Sequence, residues 1–250
     1  LNVGQRIFAR LLEQNAETLK LSARVLAADY AFREAIATHD DRTIASALAN
    51  HGARIGADAM MFVDLEGRVI SDTLRPQSAA RSFEYPALLG ATPDAANASM
   101  ELLNGHALQL VSVPVLAPLP IGWVVMGFAV DDTVASDLRQ LTGLQVTFAS
   151  NDEHGWRVLA STLDAGQQAS LVSHMPARTD ALTRLVMSVA GADHQAMVIP
   201  LGAQESRIAA ILHRSLADAF AAFERLRYTL IVLAILCLVL SIAGGVALAR

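Results

Sequence analysis

Three carboxylates, Asp64, Glu66 and Asp72, gather around Gly67 in the stretch AMMFVDLEGRVISDT, residues 59–73. Acidic side chains this close together can divide the work of a general acid and a general base. The flanking pattern gives them a different task. AMMFV is a short apolar run rich in strand formers, and RVISDT alternates Val69 and Ser71 against Ile70 and Asp72. The DLEG between them is a hairpin connection in which Gly67 supplies a positive φ and Asp64 accepts hydrogen bonds from the turn amides. The stretch therefore reads as two strands and a turn.

The other residues able to do chemistry are scattered. His39 and His51 have no Cys or carboxylate companion at metal-ligand spacing and read as solvated or capping residues. His154, His174, His194 and His213 are likewise far apart in sequence and read as surface or hydrogen-bonded histidines. No nucleophile-elbow pattern and no phosphate-binding glycine loop occurs. Asn97–Ala98–Ser99 matches a glycosylation acceptor by pattern alone. Cys237 is the single cysteine, so no disulfide framework forms within one chain. The chain is 53% hydrophobic with a net charge of −5, and its basic residues are dispersed, which argues against a nucleic-acid partner.

The elements that position these residues follow from periodicity. Residues 2–37 contain no proline and only Gly4, and Leu12, Leu19 and Leu26 recur at a spacing of seven, with Ile7, Phe8, Leu11 and Val25 beside them. This predicts one long helix whose stripe packs either on the protein's own sheets or on a partner helix. The helix breaks near His39–Asp41, and a second carries Ile44 and Leu48 to an end at Gly52 or Gly56. After the hairpin comes a short helix near FEYPALLG (83–90). Two long strands, HALQLVSVPVLAP (106–118) and GWVVMGFAV (122–130), are joined across Leu119–Pro120–Ile121. DDTVASDLRQLTG reads as a helical connector. A second copy of the layout runs through LQVTFAS (144–150), WRVLAST (156–162), a helical GQQASLVSHM (166–175), RLVMSVAG (184–191), HQAMVIPLG (194–202) and SRIAAILHRS (206–215).

Residues 228–249 hold 22 positions without a charge. At about 1.5 Å per residue this run spans roughly 33 Å, enough to cross a bilayer core, and Tyr228 stands where an interfacial aromatic belongs. Ser215 and Asp218 form a capping-box-like start, and no Gly or Pro interrupts 216–242, so one helix is expected to leave the folded part and enter the membrane. Arg225 and Arg227 before the span, against Arg250 after it, would alone put the folded part in the cytoplasm. With no initiator Met at Leu1 and an apolar run ending at Arg250, the sequence reads as a piece of a longer protein.

The fold class expected is α+β: a long N-terminal helix, two tandem PAS-like antiparallel-sheet modules, and a C-terminal helix continuing into a transmembrane span. The divisions are a helical stalk (1–55), a membrane-distal module (56–142), a membrane-proximal module (143–214), a juxtamembrane helix (215–227) and the span (228–249). This order, and above all FREAIATHDDRTIASALANHGARIGADAMMFVDLEGRVISDT (32–73), resembles the double Cache family of bacterial extracytoplasmic sensor domains, in the variety placed ahead of HAMP, GGDEF and EAL domains. The resemblance implies a sensor input at the bacterial inner membrane, with residues 1–227 in the periplasm, homodimeric through the N-terminal helix. It also implies control of a cytoplasmic cyclic di-GMP synthase or phosphodiesterase. The fragment itself would not be an enzyme, and no cofactor or metal is implied. The ordered Tyr, Arg, Trp and Asp pattern of amino-acid-binding members is not found, so the ligand is not carried over.

In such domains a small molecule sits between the distal sheet and the loops covering it. Here the groups able to face it are Arg75, Arg81, Tyr85, His106, Gln109 and Trp123. Arg81 could hold a carboxylate through a bidentate pair, with Tyr85 and Trp123 as walls. The competing reading makes Trp123 core and Arg81 a solvated loop residue. In that case the domain is a dimerisation or partner-binding module with no small-molecule ligand.

Overall fold

The computed structural model describes residues 2–76, 81–90, 96–176, 182–189, 192–201, 208–215, 227, 229–235 and 237. Its first element, α1 (Asn2–Ala28), is 27 residues long and is followed by α2 (Tyr30–Ala37). The expected single helix is broken at Asp29. This residue takes an extended conformation and its carboxylate caps α2 by accepting from the Phe32 amide at 2.9 Å. Asp40 caps α3 (Asp41–Ile55) in the same way, and Gly56 ends it in the left-handed conformation at φ 70°.

One stripe of α1 is buried. Its first half places Phe8, with Leu11 and Leu12 beside it, against Val146, Phe148, Ile208 and Leu212 of the second sheet. Its second half places Ala23 and Leu26 against Val111, Val113 and Met126 of the first. The leucine repeat therefore packs on the protein's own sheets. Ile7 and Val25, expected in the same stripe, lie on the outer side; Val25 is 74% exposed and continues a row with Val3 and Leu21.

The first sheet comprises β1 (Ala59–Val63), β2 (Arg68–Asp72), β3 (Arg81–Ser82), β4 (Asn97–Leu103), β5 (His106–Leu116) and β6 (Pro120–Ala129), in the order β3-β2-β1-β6-β5-β4. The β1–β2 hairpin is the one expected, with Gly67 at φ 76° and the Asp64 carboxylate accepting from the amides of Glu66 and Arg68. Partial burial would raise the pKa of Asp64, but the amide and guanidinium of Arg68 hold its carboxyl below the usual range. It is a turn anchor. The expected helix at 83–90 is only a 3-10 turn at Pro86–Leu88. The strand β4 was not expected; it pairs along its whole length with β5 through a tight turn at Asn104 and Gly105, both at positive φ.

Helix α4 (Asp132–Thr142), capped by Asp131, leads into the second sheet. That sheet comprises β7 (Gln145–Asp152), β8 (Gly155–Ser161), β9 (Thr183–Val189), β10 (Ala192–Pro200) and β11 (Ile208–Ser215), in the order β8-β7-β11-β10-β9. This repeats β2-β1-β6-β5-β4, so the echo seen in the sequence is a repeat of topology. Helix α5 (Ala165–Ser173), started by an Asp164–Gln167 capping box, crosses between β8 and β9.

Arg227, residues 229–235 and Cys237 are helical where described. The rest of the expected juxtamembrane helix and membrane span lies outside the described residues. Among the described residues no helix is long and apolar enough to cross a membrane.

Gly122 in β6 has φ 152°, and a Cβ there would stand 2.4 Å from the Val63 carbonyl oxygen and 2.7 Å from the Phe62 ring. Gly56 has open space at the same position. Urea unfolding should therefore show Gly122→Ala costing about 3 kcal/mol, against about 1 kcal/mol for Gly56→Ala. Equal costs would mean that the close approach of β6 to β1 does not constrain the sheet.

Candidate functional site

The first sheet has two faces, and strand register assigns each side chain to one of them. Met60, Phe62, Val111, Val113, Val124 and Met126 face α1–α3. Met61, Val63, Leu108, Leu110 and Val125 face the opposite way, under a cover formed by Phe83, Tyr85, Leu88 and Leu89. Because opposed residues share a face, Asn97, Ser99 and Glu101 of β4, Ser112 of β5 and Trp123 of β6 stand on this covered face too.

These five make a polar row within an apolar chamber. Asn97 donates its Nδ2–H to the Leu88 carbonyl at 3.1 Å, tying β4 to the cover. Ser99 donates to the carboxylate of Glu101, which is almost fully buried. Ser112 is fully buried, and among the described residues neither its Oγ nor the buried Nε1 of Trp123 has a hydrogen-bond partner. Two unpaired polar atoms on neighbouring strands of one covered face are costly unless something else satisfies them.

The six candidates from the sequence divide between several environments. Trp123 belongs to the row just described. Tyr85 is in the cover, edge-on to Phe83, and donates its hydroxyl to the Leu102 carbonyl at 2.7 Å. Burial, with the charges of Glu84 and Glu101, pushes its pKa up to about 12, so it stays a neutral donor. Arg81 is not a free clamp, because Nη2 donates to Asp72 at 2.7 Å and Nη1 to Glu84 at 3.0 Å. Arg75 shares Glu84 at 3.3 Å and also donates to Asn104. His106 is exposed at the β4–β5 turn. Gln109 sits on the helix face, where it accepts from Asn15 Nδ2 at 2.7 Å; the alternation of β5 carries it away from the covered side.

Arg75 and Arg81 also border a cleft between the start of α3 and β2, with Asp41, Ile70 and Asp72 on its walls. Its volume of about 60 Å³ is far below the several hundred Å³ of a metabolite site. It has room for a few waters. The polar row under the cover, whose residues other than Trp123 sequence reasoning passed over, is the better candidate. Recognition of β4 would have found it, and the signal was present in Asn104–Gly105, the dipeptide that most strongly marks a two-residue hairpin.

The second sheet carries a further buried polar group. His194 on β10 and His213 on β11, read from sequence as separate surface or hydrogen-bonded residues, meet with Nδ1 atoms 3.1 Å apart. The antiparallel register places Ala196 opposite His213, which brings the two rings side by side. Among the described residues no group of three metal-ligating side chains occurs.

The Arg81–Asp72 pair has one partner almost fully buried, whereas the Arg75–Glu84 pair is largely solvated. Arg81→Met should accordingly destabilise the chain by about 3 kcal/mol in thermal or urea unfolding, and Arg75→Met by less than about 1 kcal/mol. Similar values for the two would show that the Asp72 contact does not anchor β3 to β2.

Comparison with known families finds a match to the model described as the double sensory domain of two-component sensor kinase, over residues 1–185. Among solved structures, the periplasmic domain of Vibrio cholerae LuxQ is similar at 12% identity, covering 85% of this chain and 98% of that one, with a TM-score of 0.54. The sensor domain of the V. cholerae histidine kinase DctB is similar at 12% identity, with coverages of 86% and 94% and a TM-score of 0.50. The ligand-binding domain of the Pseudomonas fluorescens chemoreceptor CtaA, in complex with L-isoleucine, is similar at 15% identity, with coverages of 87% and 91% and a TM-score of 0.50. Comparison with curated protein sequences finds no match.

Proposed function

The chain belongs to the double Cache family of sensory domains, and on that premise we propose that it is the periplasmic, ligand-sensing input of a membrane-bound signalling protein. The observation that carries this reading is the polar row beneath the 81–90 cover, with Ser112 Oγ and Trp123 Nε1 buried and, among the described residues, unpartnered. A bound small molecule offering a hydrogen-bond acceptor to Trp123 and a polar group to Ser112 would satisfy both. The complex of the similar CtaA domain with L-isoleucine makes amino acids and their analogues the first class to test.

The remaining parts of the reading concern coupling. Helix α1 packs on both sheets, so a shift of the distal sheet on ligand binding is transmitted along it to the proximal one. The outer row of Val3, Ile7, Leu21 and Val25 supports homodimerisation through α1. The apolar stretch 228–249 would anchor the protein in the inner membrane. Likeness of residues 32–73 to inputs of cyclic di-GMP enzymes suggests a synthase or phosphodiesterase output. The family description and the DctB and CtaA names add histidine kinases and chemoreceptors as other outputs that this input fold serves.

Thermal unfolding against a panel of amino acids, carboxylates and amines tests this directly. A ligand at about a hundred times its dissociation constant should add roughly 2.7 kcal/mol and raise the midpoint by several degrees. Trp123→Phe, which removes the indole N–H, should weaken that ligand about tenfold, the equivalent of one hydrogen bond. A hit whose affinity is indifferent to Trp123→Phe would place the ligand elsewhere. A panel without any hit would favour the dimerisation or partner-docking module.

A further inference from the structure

The covered face of the proximal sheet presents Ala196 and Val198 of β10 and Ala209 and Ile211 of β11 to Leu163 and to Leu171 of α5. At one end of this apolar face stand the rings of His194 and His213, with centroids 5.2 Å apart. His213 is fully buried and His194 nearly so. Gln145 of β7 is opposite His213, and its Oε1 accepts from Thr162 at 2.6 Å; Thr147 and Ser161 bond each other at 2.7 Å. Among the described residues His213 Nε2 has no partner.

Other titratable groups on the surrounding strands are turned away. Asp193 on β10 and Arg214 on β11 neighbour the two histidines in sequence, so alternation puts them on the other face, where they are exposed. Arg184 on β9 is opposite Met197, also on that other face. His174, at the end of α5, is exposed and bonded to the Ser170 carbonyl at 2.8 Å. Asp132 and Asp164, on the adjoining α4 and the start of α5, are exposed and accept from the Ser161 and Gln167 amides; of the charged groups, only His194 acts on His213.

The contacts fix the tautomers. A buried N–H with nothing to accept it is rarer and costlier than an unused lone pair. His213 is therefore assigned as the Nδ1–H tautomer donating to His194 Nδ1, with a bare Nε2, while His194 carries its proton on Nε2. Adding one proton destroys this arrangement by either route. If His213 takes it, Nε2 becomes a buried N–H with no acceptor. If His194 takes it, its Nδ1–H must now donate, so His213 has to move its own proton from Nδ1 to Nε2, with the same result. A second added proton sets two cations against each other.

We propose that the His194–His213 pair is a proton-operated switch in the membrane-proximal sheet: the neutral pair joins β10 to β11, and proton uptake from acidified solvent breaks the join and loosens β11. This device is independent of any ligand in the distal module. The burial of His213, and secondarily the charge of His194, lowers the His213 pKa from 6.5 to about 4. The unfolded chain, with a histidine near 6.5, binds protons that the fold excludes, so the stability contributed by neutral His213 is present above about pH 6.5 and is lost as the pH falls toward 4.

Urea unfolding of the 250-residue chain between pH 6.5 and pH 4 tests this against His213→Leu. The wild-type unfolding constant should rise roughly a hundredfold more than that of the variant over this range. Equal slopes would overturn the proposal. Long-range 1H–15N NMR of the wild-type rings gives a test that does not depend on the variant folding. A neutral His213 ring that keeps an Nδ1–H bonded to His194 well below pH 6.5 supports the switch; a His213 ring that titrates near 6.5 in the folded chain refutes it. Zinc raising the unfolding midpoint at pH 7 through these two rings would make them metal ligands and overturn it as well.

Discussion

The buried stripe of α1 is the contact on which the rest of the architecture depends. Neither sheet closes its helix-side core alone. Phe8 completes the core around Phe148 and Ile208, and Ala23 and Leu26 complete the one around Val113 and Met126. Burial of these side chains favours the folded state in both modules at once, so their stabilities are joined through one rod. The Asn15–Gln109 hydrogen bond adds direction to this apolar contact, because sliding the helix by a turn would take the partner from the buried Gln109 amide. Gly4 permits the same close approach near the other end, where a Cβ would stand 2.5 Å from Leu144 Cδ1.

Each sheet uses its two faces differently. The helix-facing side is filled mainly by large apolar groups, Gln109 being an exception in the first sheet, and the far side carries polar groups among apolar ones: the row of Asn97, Ser99, Glu101, Ser112 and Trp123 in the first sheet, and His194, His213, Thr147 and Ser161 in the second. A shared topology thus places chemistry on equivalent faces. The covers differ, one being an irregular segment with a single 3-10 turn and the other a capped helix, α5. An irregular cover with few regular hydrogen bonds opens at lower cost than a helix docked by Leu171.

Local signals in the sequence carried most of the fold. Asp64 and Gly67 specified the first hairpin, the leucine repeat specified α1, and the repeated strand pattern specified the second module. What escaped was either locally ambiguous or non-local. The break at Asp29 hides in a good helical pattern, because a single capping carboxylate interrupts it without Gly or Pro. Strand β4 contains Asn, Ser and Glu, poor strand formers whose placement comes from pairing with β5. The side of the sheet on which Gln109 falls depends on register, and one residue of shift reverses it. His194 and His213 are brought together only by the β10–β11 ladder, which no spacing rule over nineteen residues could reveal.

Strand order also has a mechanical meaning. In the second sheet β11 lies between β7 and β10, although it is the last of that sheet's strands in sequence. A pull or push applied at Ser215 along the strand therefore loads two antiparallel ladders in shear, one from Ile208 to His213 against β7 and one from Ala209 to Ser215 against β10. Such a load stresses the hydrogen bonds of each ladder together, whereas an edge strand can be peeled away one bond at a time. The exit of the sheet is consequently stiff along its axis, so force arriving there moves the module as a body before it unravels the strand.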